Sequence, residues 1–133
     1  MHLTFNPIDV AALLNDVRPT EGGVCVFLGV VRNENEGLPT VAIQYEAYGP
    51  MAERVLAEIA SEAADRWDAS VGIVHRIGLV PIGEASVVIV SAAAHRDAAY
   101  QASRYVIEAI KERLPIWKRE RFADGSEWKR PGA

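Results

Sequence analysis

KERLPIWKRERFADGSEWK, residues Lys111–Lys129, reads as a helix exit followed at once by two strands. Pro115 has no amide hydrogen and its ring collides with the preceding turn, so a helix arriving from the N-terminal side stops before it. Ile116 to Phe122 then alternates, with Ile116, Lys118 and Glu120 on one face and Trp117, Arg119 and Arg121 on the other. Asp124-Gly125 is a strong tight-turn signal, and Ser126 to Lys129 returns as the second strand of a hairpin. A helix that delivers the chain directly into an antiparallel pair points to an α+β fold, with helices packed on an antiparallel or mixed sheet.

The preceding sequence repeats this alternation of element types. Asn6-Pro7, with Asp9 three residues after Asn6, has the form of an N-cap and first turn, which predicts a short helix to about Asp16. After a loop over Pro19 to Gly23, Val24, Val26, Leu28 and Val30 alternate with Cys25, Phe27, Gly29 and Val31. Both faces are apolar or small, as expected of a strand covered on both sides. Arg32 to Pro39 is a polar turn, expected to be mobile, and Thr40 to Tyr48 returns as a strand with Val41, Ile43, Tyr45 and Ala47 on one face. Pro50 opens a helix whose stripe is Met51, Val55, Leu56, Ile59, Ala63 and Trp67. Ser70 to Val80 and Ala85 to Ala93 are expected as an antiparallel pair around Pro81-Ile82-Gly83-Glu84. Asp97 is the expected cap of the last helix, with Ala98, Ala102, Tyr105, Val106, Ala109 and Ile110 buried.

At 133 residues, half of them apolar and a quarter charged, the chain fits one globular domain over 1–133. Its longest apolar runs are too short to span a bilayer, and Met1 to Asn6 lacks the basic and apolar regions of a secretory signal, so a cytoplasmic location is expected. Cys25 is the only cysteine, which excludes a disulfide within the chain, and its apolar neighbours suit a buried small hydrophobe. His2, His75 and His95 are too scattered in sequence to suggest a zinc site. No Gly-rich phosphate loop follows any strand, which counts against nucleotide-cofactor enzymes.

Charge distribution carries more than the net value of -4. From Arg104 to Arg130 there are eight basic and five acidic residues, so this stretch is +3 and the remainder -7. The overall balance disfavours general nucleic-acid binding, whereas an electropositive end suits a compact anion or a partner's acidic tail. Lys111 and Lys118 are two of only three lysines against eleven arginines. Unlike a guanidinium, a desolvated lysine amine can lose its proton and serve as acid, base or nucleophile. Such a pair is also compatible with a solvated edge. Arg104, Glu108 and Lys111 share a helix face of the kind usually occupied by exposed salt bridges. Lys118, however, shares its face with Ile116 and Glu120, where an amine would be partly dried. His95-Arg96 at a strand-to-helix junction is a candidate anion site, with structural capping as the competing reading. Arg32, at a strand exit, is a third candidate. His75-Arg76 lies within a strand and reads as structural.

Taken together these residues resemble the large, catalytic subunit of molybdopterin synthase. The resemblance rests on Phe27-Leu28-Gly29-Val30-Val31-Arg32-Asn33, Tyr45-Glu46-Ala47-Tyr48 with Met51-Ala52, His75-Arg76-Ile77-Gly78, Gly83-Glu84, His95-Arg96, and Lys111 through Pro115-Ile116-Trp117-Lys118-Arg119-Glu120, in the family's order. It implies an α/β hammerhead fold and a cytoplasmic homodimer that binds a small ubiquitin-like subunit at each end, making a heterotetramer. The implied reaction transfers sulfur from that subunit's Gly-Gly thiocarboxylate tail to cyclic pyranopterin monophosphate, forming the dithiolene of molybdopterin. Because sulfur arrives on the partner, no bound metal or organic cofactor is expected, and Cys25 is not the donor. The family's pocket residues map onto Arg32, His95, Arg96, Lys111 and Lys118, with Arg119 and Glu120 close by, and some of them are candidates to come from the dimer mate. Lys111 and Lys118 are the expected catalytic residues. A competing class is a non-catalytic module whose basic C-terminal face binds an acidic peptide or single-stranded RNA, with Trp117 and Phe122 as stacking platforms.

Overall fold

The computed structural model describes residues 1–133. In chain order the elements are β1 (Leu3–Thr4), α1 (Val10–Leu14), β2 (Gly23–Val30), β3 (Glu34–Asn35), β4 (Leu38–Ala47), α2 (Gly49–Trp67), β5 (Ser70–Arg76), β6 (Gly78–Pro81), β7 (Ala85–Ala93), α3 (Arg96–Arg113), β8 (Ile116–Phe122) and β9 (Glu127–Pro131). One sheet has the order β1-β5-β7-β2, with β1 parallel to β5 and the other pairs antiparallel. The second runs β3-β4-β8-β9, with β6 also paired to β4, and is antiparallel throughout. This is the expected α+β architecture.

Helices α2 and α3 lie against each other and against one face of the first sheet. Leu56 and Ile59 of α2, Val106 and Ile110 of α3, Ile73 of β5 and Ile89 of β7 are fully buried between these layers. The helical period places these residues on facing stripes, and burying each large aliphatic side chain contributes roughly 1.5–3 kcal/mol. The predicted stripes are offset at their starts: Ala52 rather than Met51, and Ala99 rather than Ala98, are fully packed.

Several boundaries differ from the sequence expectation for local reasons. Asp9, not Asn6, caps the first helix, because its carboxylate accepts the Ala12 amide at 3.2 Å; α1 is correspondingly only five residues long. His95 precedes α3 as its N-cap, and Asp97 sits in the first turn, where its charge complements the helix dipole. The predicted strand Ser70 to Val80 divides at Gly78, whose φ of +87° turns the chain out of one sheet and into the other. The Arg32 to Pro39 segment is not an irregular turn: β3 and β4 form a hairpin around Glu36 and Gly37, both at positive φ. A register shift between Thr40 and Ala42 leaves Val41 out of the Ile43, Tyr45, Ala47 row, and it is exposed.

Strand β2 departs furthest from expectation. Its Cys25, Phe27 and Gly29 pair with Ser91, Ile89 and Val87, on the face that α3 packs against. The opposite row is open in the single chain, with Val24 44%, Val26 39%, Leu28 46% and Val30 45% exposed. β2 is an edge strand, and α1 is too short to reach over this row.

His75 is a fully buried imidazole on β5. Its Nδ1 donates to the Arg76 carbonyl at 2.6 Å, its Nε2 has no hydrogen-bond partner, and its ring meets Tyr45 edge-on at 5.1 Å. Burial lowers its pKa to about 4; the bond to Arg76 opposes this and the charge of Lys111 reinforces it. The unfolded chain therefore binds a proton below pH 6.5 that the folded chain refuses until about pH 4. Stability from this group is complete above pH 6.5 and falls across that window by about 3 kcal/mol in all. Urea unfolding at a series of pH values should show this slope, and His75→Phe should flatten it.

Candidate active site

A cavity of about 200 Å³ lies between the end of β2, the β3–β4 hairpin, the exit of α3 and the inner face of β8. Arg32, Lys111, Lys118 and Glu120 all line it, together with Asn35, Tyr45 and Ser86. Each position has a local cause. Val31 donates to the Glu84 carbonyl at 3.0 Å and its own carbonyl accepts from Gly83 at 2.8 Å, which holds Arg32 at the rim. The Glu84 side chain is held in turn by buried Arg76 at 2.6 Å, so the His75-Arg76 dipeptide is structural, as expected. Lys111 occupies the last turn of α3, and its Nζ donates to the Ala133 carbonyl at 3.1 Å. Lys118 pairs across the sheet with Tyr45, and Glu120 with Ile43, so both charges face inward among apolar neighbours.

Glu120 is 2% exposed and organises the floor. Its Oε2 accepts from the Asn35 amide at 2.7 Å. Its Oε1 faces Lys118 Nζ at 3.9 Å and Arg130 Nε at 3.5 Å, yet has no hydrogen bond. These are charge contacts across a gap rather than closed ion pairs. Arg130 lies opposite Lys118 on β9 and also stacks over Trp128 at 5.2 Å.

The Lys118 side chain is only 22% exposed. Burial pushes its amine pKa down; Glu120 opposes that, while the like charges of Lys111, Arg130 and Arg32 add to it. Three cations, Arg32, Lys111 and Lys118, thus line one partly dried space with the buried Glu120 carboxylate, and Arg130 stands beside Lys118 and Glu120 on the neighbouring strand. A site of this kind attracts anions and stabilises negative charge that develops within it. A lysine with a lowered pKa also gives up its proton more readily near neutral pH.

Not every predicted residue belongs to this pocket. Arg119 lies on the outer face of β8 beside Glu46 at 3.9 Å, as strand alternation requires. His95 and Arg96 start α3 while Lys111 ends it; an 18-residue helix is roughly 27 Å long, so they are remote from this chain's own cavity. They sit instead at the start of β2, where a Cβ on Gly23 would come within 2.6 Å of the Arg96 nitrogen. Arg104 pairs with Glu108 at 3.0 Å in solvent, and Lys111 is not part of that bridge. Trp117 and Phe122 do not form a joint stacking platform: Trp117 is exposed on the outer face, whereas Phe122 is buried against Trp128 on the inner one.

Asn35 and Arg130 were not legible as site residues. Asn35 falls in a segment that reads from sequence as a polar turn, and its contact with Glu120 spans 85 positions. Arg130 depends on hairpin register. A two-residue loop at Asp124-Gly125 would have set it opposite Arg119, but the loop has three residues, Ala123 to Gly125, with Gly125 at positive φ, and this sets it opposite Lys118.

The model of the family described as MoaE protein matches residues 3–113. The molybdopterin synthase catalytic subunit of Bacillus subtilis (strain 168) is 45% identical over 128 residues, which cover 95% of this chain and 82% of that protein. The crystal structure of molybdopterin synthase from Staphylococcus aureus aligns with a TM-score of 0.92 at 38% identity, over 97% of this chain and 95% of that one. The fold is also that of a chain in the complex of subunits 1 and 2 of molybdopterin-converting factor from Helicobacter pylori, with a TM-score of 0.76 at 23% identity, over 95% of this chain and 86% of that one.

Proposed function

The chain belongs to the MoaE family, that of the molybdopterin synthase catalytic subunits, and from this premise we propose how its pocket carries out sulfur transfer. The reading has residues 1–133 acting as one catalytic domain in the cytoplasm; no helix is long and apolar enough to cross a membrane. The partner is a small ubiquitin-like subunit, in keeping with the two-subunit complex of the H. pylori factor. Its Gly-Gly tail enters the cavity bearing a terminal thiocarboxylate, and the acceptor is cyclic pyranopterin monophosphate. The observation that carries this is that Arg32, Lys111 and Lys118 line one cavity, with Arg130 close enough to act on Lys118. Both reactants are anions, so the same cations serve attraction and transition-state stabilisation.

In this mechanism Lys118, on the cavity wall beside Tyr45, holds the terminal carbonyl of the tail while its thiocarboxylate sulfur attacks the pterin side chain. Lys111, at the mouth, moves the proton that the pterin side chain gains or loses. The new C–S bond replaces a C–O bond of the attacked side-chain carbon, whose oxygen leaves with a proton from Lys111. Tail and pterin are then joined as a thioester. Water cleaves its acyl C–S bond to free the tail as a carboxylate and leave the sulfur on the pterin, and a second thiocarboxylated tail delivers the second sulfur in the same way. Arg32 holds substrate phosphate, with His95 and Arg96 supplied by the dimer mate.

The assignment to the mate follows from symmetry. His95-Arg96 lies at the start of β2 and Arg32 just beyond its end; an eight-residue strand spans roughly 26 Å. Two copies of one edge strand related by a twofold axis perpendicular to the strands run antiparallel, and in that dimer the start of one lies beside the end of the other. The exposed row of Val24, Val26, Leu28 and Val30 supplies the apolar contact for such a dimer. Leu28→Glu should therefore yield monomers by analytical ultracentrifugation and lose most turnover, although Lys111 and Lys118 are intact.

The direct test is reconstitution with a thiocarboxylated ubiquitin-like partner and the cyclic pterin, with dithiolene product as the readout. Product is expected in proportion to thiocarboxylate consumed. Well-folded components that yield none would overturn the reading.

A further inference from the structure

Glu120 is a buried carboxylate with one hydrogen-bonded oxygen and one left open, although an ammonium and a guanidinium are both nearby. Buried carboxylates ordinarily use their lone pairs, and a charge-assisted bond to a lysine closes to about 2.7–2.9 Å. Here Lys118 Nζ stands 3.9 Å away, a gap of about 1 Å more than that contact requires. What restrains the carboxylate is the Asn35 amide, at 2.7 Å on Oε2. The amide is presented by the β3–β4 hairpin, whose positive-φ loop at Glu36 and Gly37 fixes where β3 ends.

We propose that Asn35 is a positioning residue that anchors Glu120 through Oε2, and so keeps the carboxylate from closing onto Lys118 and leaves that amine free for the incoming carbonyl. The inference rests on the role given to Lys118 above. The charged and titratable groups facing Lys118 and Glu120 are Arg130 of β9, Lys111 of α3, Arg32 after β2, Glu34 of β3 and Tyr45 of β4. None of the protein groups other than Asn35 donates a hydrogen bond to the Glu120 carboxylate. Without Asn35, the carboxylate turns toward the amine, pairs with it directly and raises its affinity for a proton.

The chain has only three lysines, so a protein labelled with carbon-13 at lysine Cε gives three resolvable titrations. Asn35→Ala, and the similarly sized Asn35→Leu, should raise the Lys118 midpoint by about one pH unit, and Asn35→Gln, which keeps a donor, should stay near the unmodified protein. In the reconstituted reaction the first two should lower kcat roughly tenfold at pH 7, with KM for the cyclic pterin changed less than about twofold, and should move the Lys118 limb of the pH profile by the same amount as the titration. A midpoint that stays put or falls in either folded variant overturns the inference, as does a loss confined to KM. In the unmodified protein the Asn35 side-chain amide should exchange its hydrogens slowly, and exchange at the rate of free asparagine would equally defeat it. The titration and exchange need neither partner nor pterin, so they stand or fall apart from the sulfur-transfer reading, which turnover of the unmodified protein tests.

Discussion

Lys118→Arg should reduce dithiolene formation by about 100-fold or more, the range expected when a positioned proton-transfer or carbonyl-binding group is lost. The substitution keeps the positive charge, so attraction of the anionic tail survives and the partner's affinity should change little. What is removed is an amine whose pKa is lowered by burial and by Lys111, Arg130 and Arg32. Arginine stays protonated under all working conditions, and its planar fork cannot take the place of a compact amine beside Tyr45. Single-turnover assays with thiocarboxylated partner separate binding from chemistry. Normal turnover by both Lys118→Arg and Lys111→Arg would refute the catalytic assignment.

Mixing two inactive variants should restore activity if His95 and Arg96 act across the dimer. Lys118→Ala leaves Arg96 intact, and Arg96→Ala leaves Lys118 intact. In a mixed dimer one pocket then combines an intact Lys118 with an intact Arg96 from the mate, and the other lacks both. Random reassociation at equal concentrations makes half the dimers mixed, so recovery should approach about a quarter of unmodified turnover. If all these groups served one chain's own pocket, every site would lack one of them and no activity would return. The large separation between the start of α3 and Lys111 at its end is what makes the crossed arrangement the expected one.

These expectations depend on features of unequal visibility in the sequence. The inward row of Ile116, Lys118 and Glu120 was readable because strand alternation is a local property, and the register with Ala47, Tyr45 and Ile43 bears it out. Termination of α3 before Pro115 was equally local. The division at Gly78 was not, because Ser70 to Val80 is a continuous strand-like run and only pairing partners distinguish β5 from β6. The open apolar row of β2 was misread for a related reason: apolar residues on both faces look the same whether the second cover belongs to this chain or lies outside it.

By itself the sequence determined the element types, the two core-facing helical stripes, the inward placement of Lys118 and Glu120, and the electropositive C-terminal end. Periodicity and composition carry these, since each depends on neighbours a few positions apart. Tertiary structure alone decided that the Arg32 rim and the Lys111 exit face the same cavity, that His95 and Arg96 do not, and that Arg130 faces Lys118. One loop residue between β8 and β9 separates these outcomes for Arg130, because a shift of one position turns a whole strand over. Asn35 reaches Glu120 only through the closing of a distant hairpin. Such contacts are set by register and packing between remote segments, which no local pattern encodes.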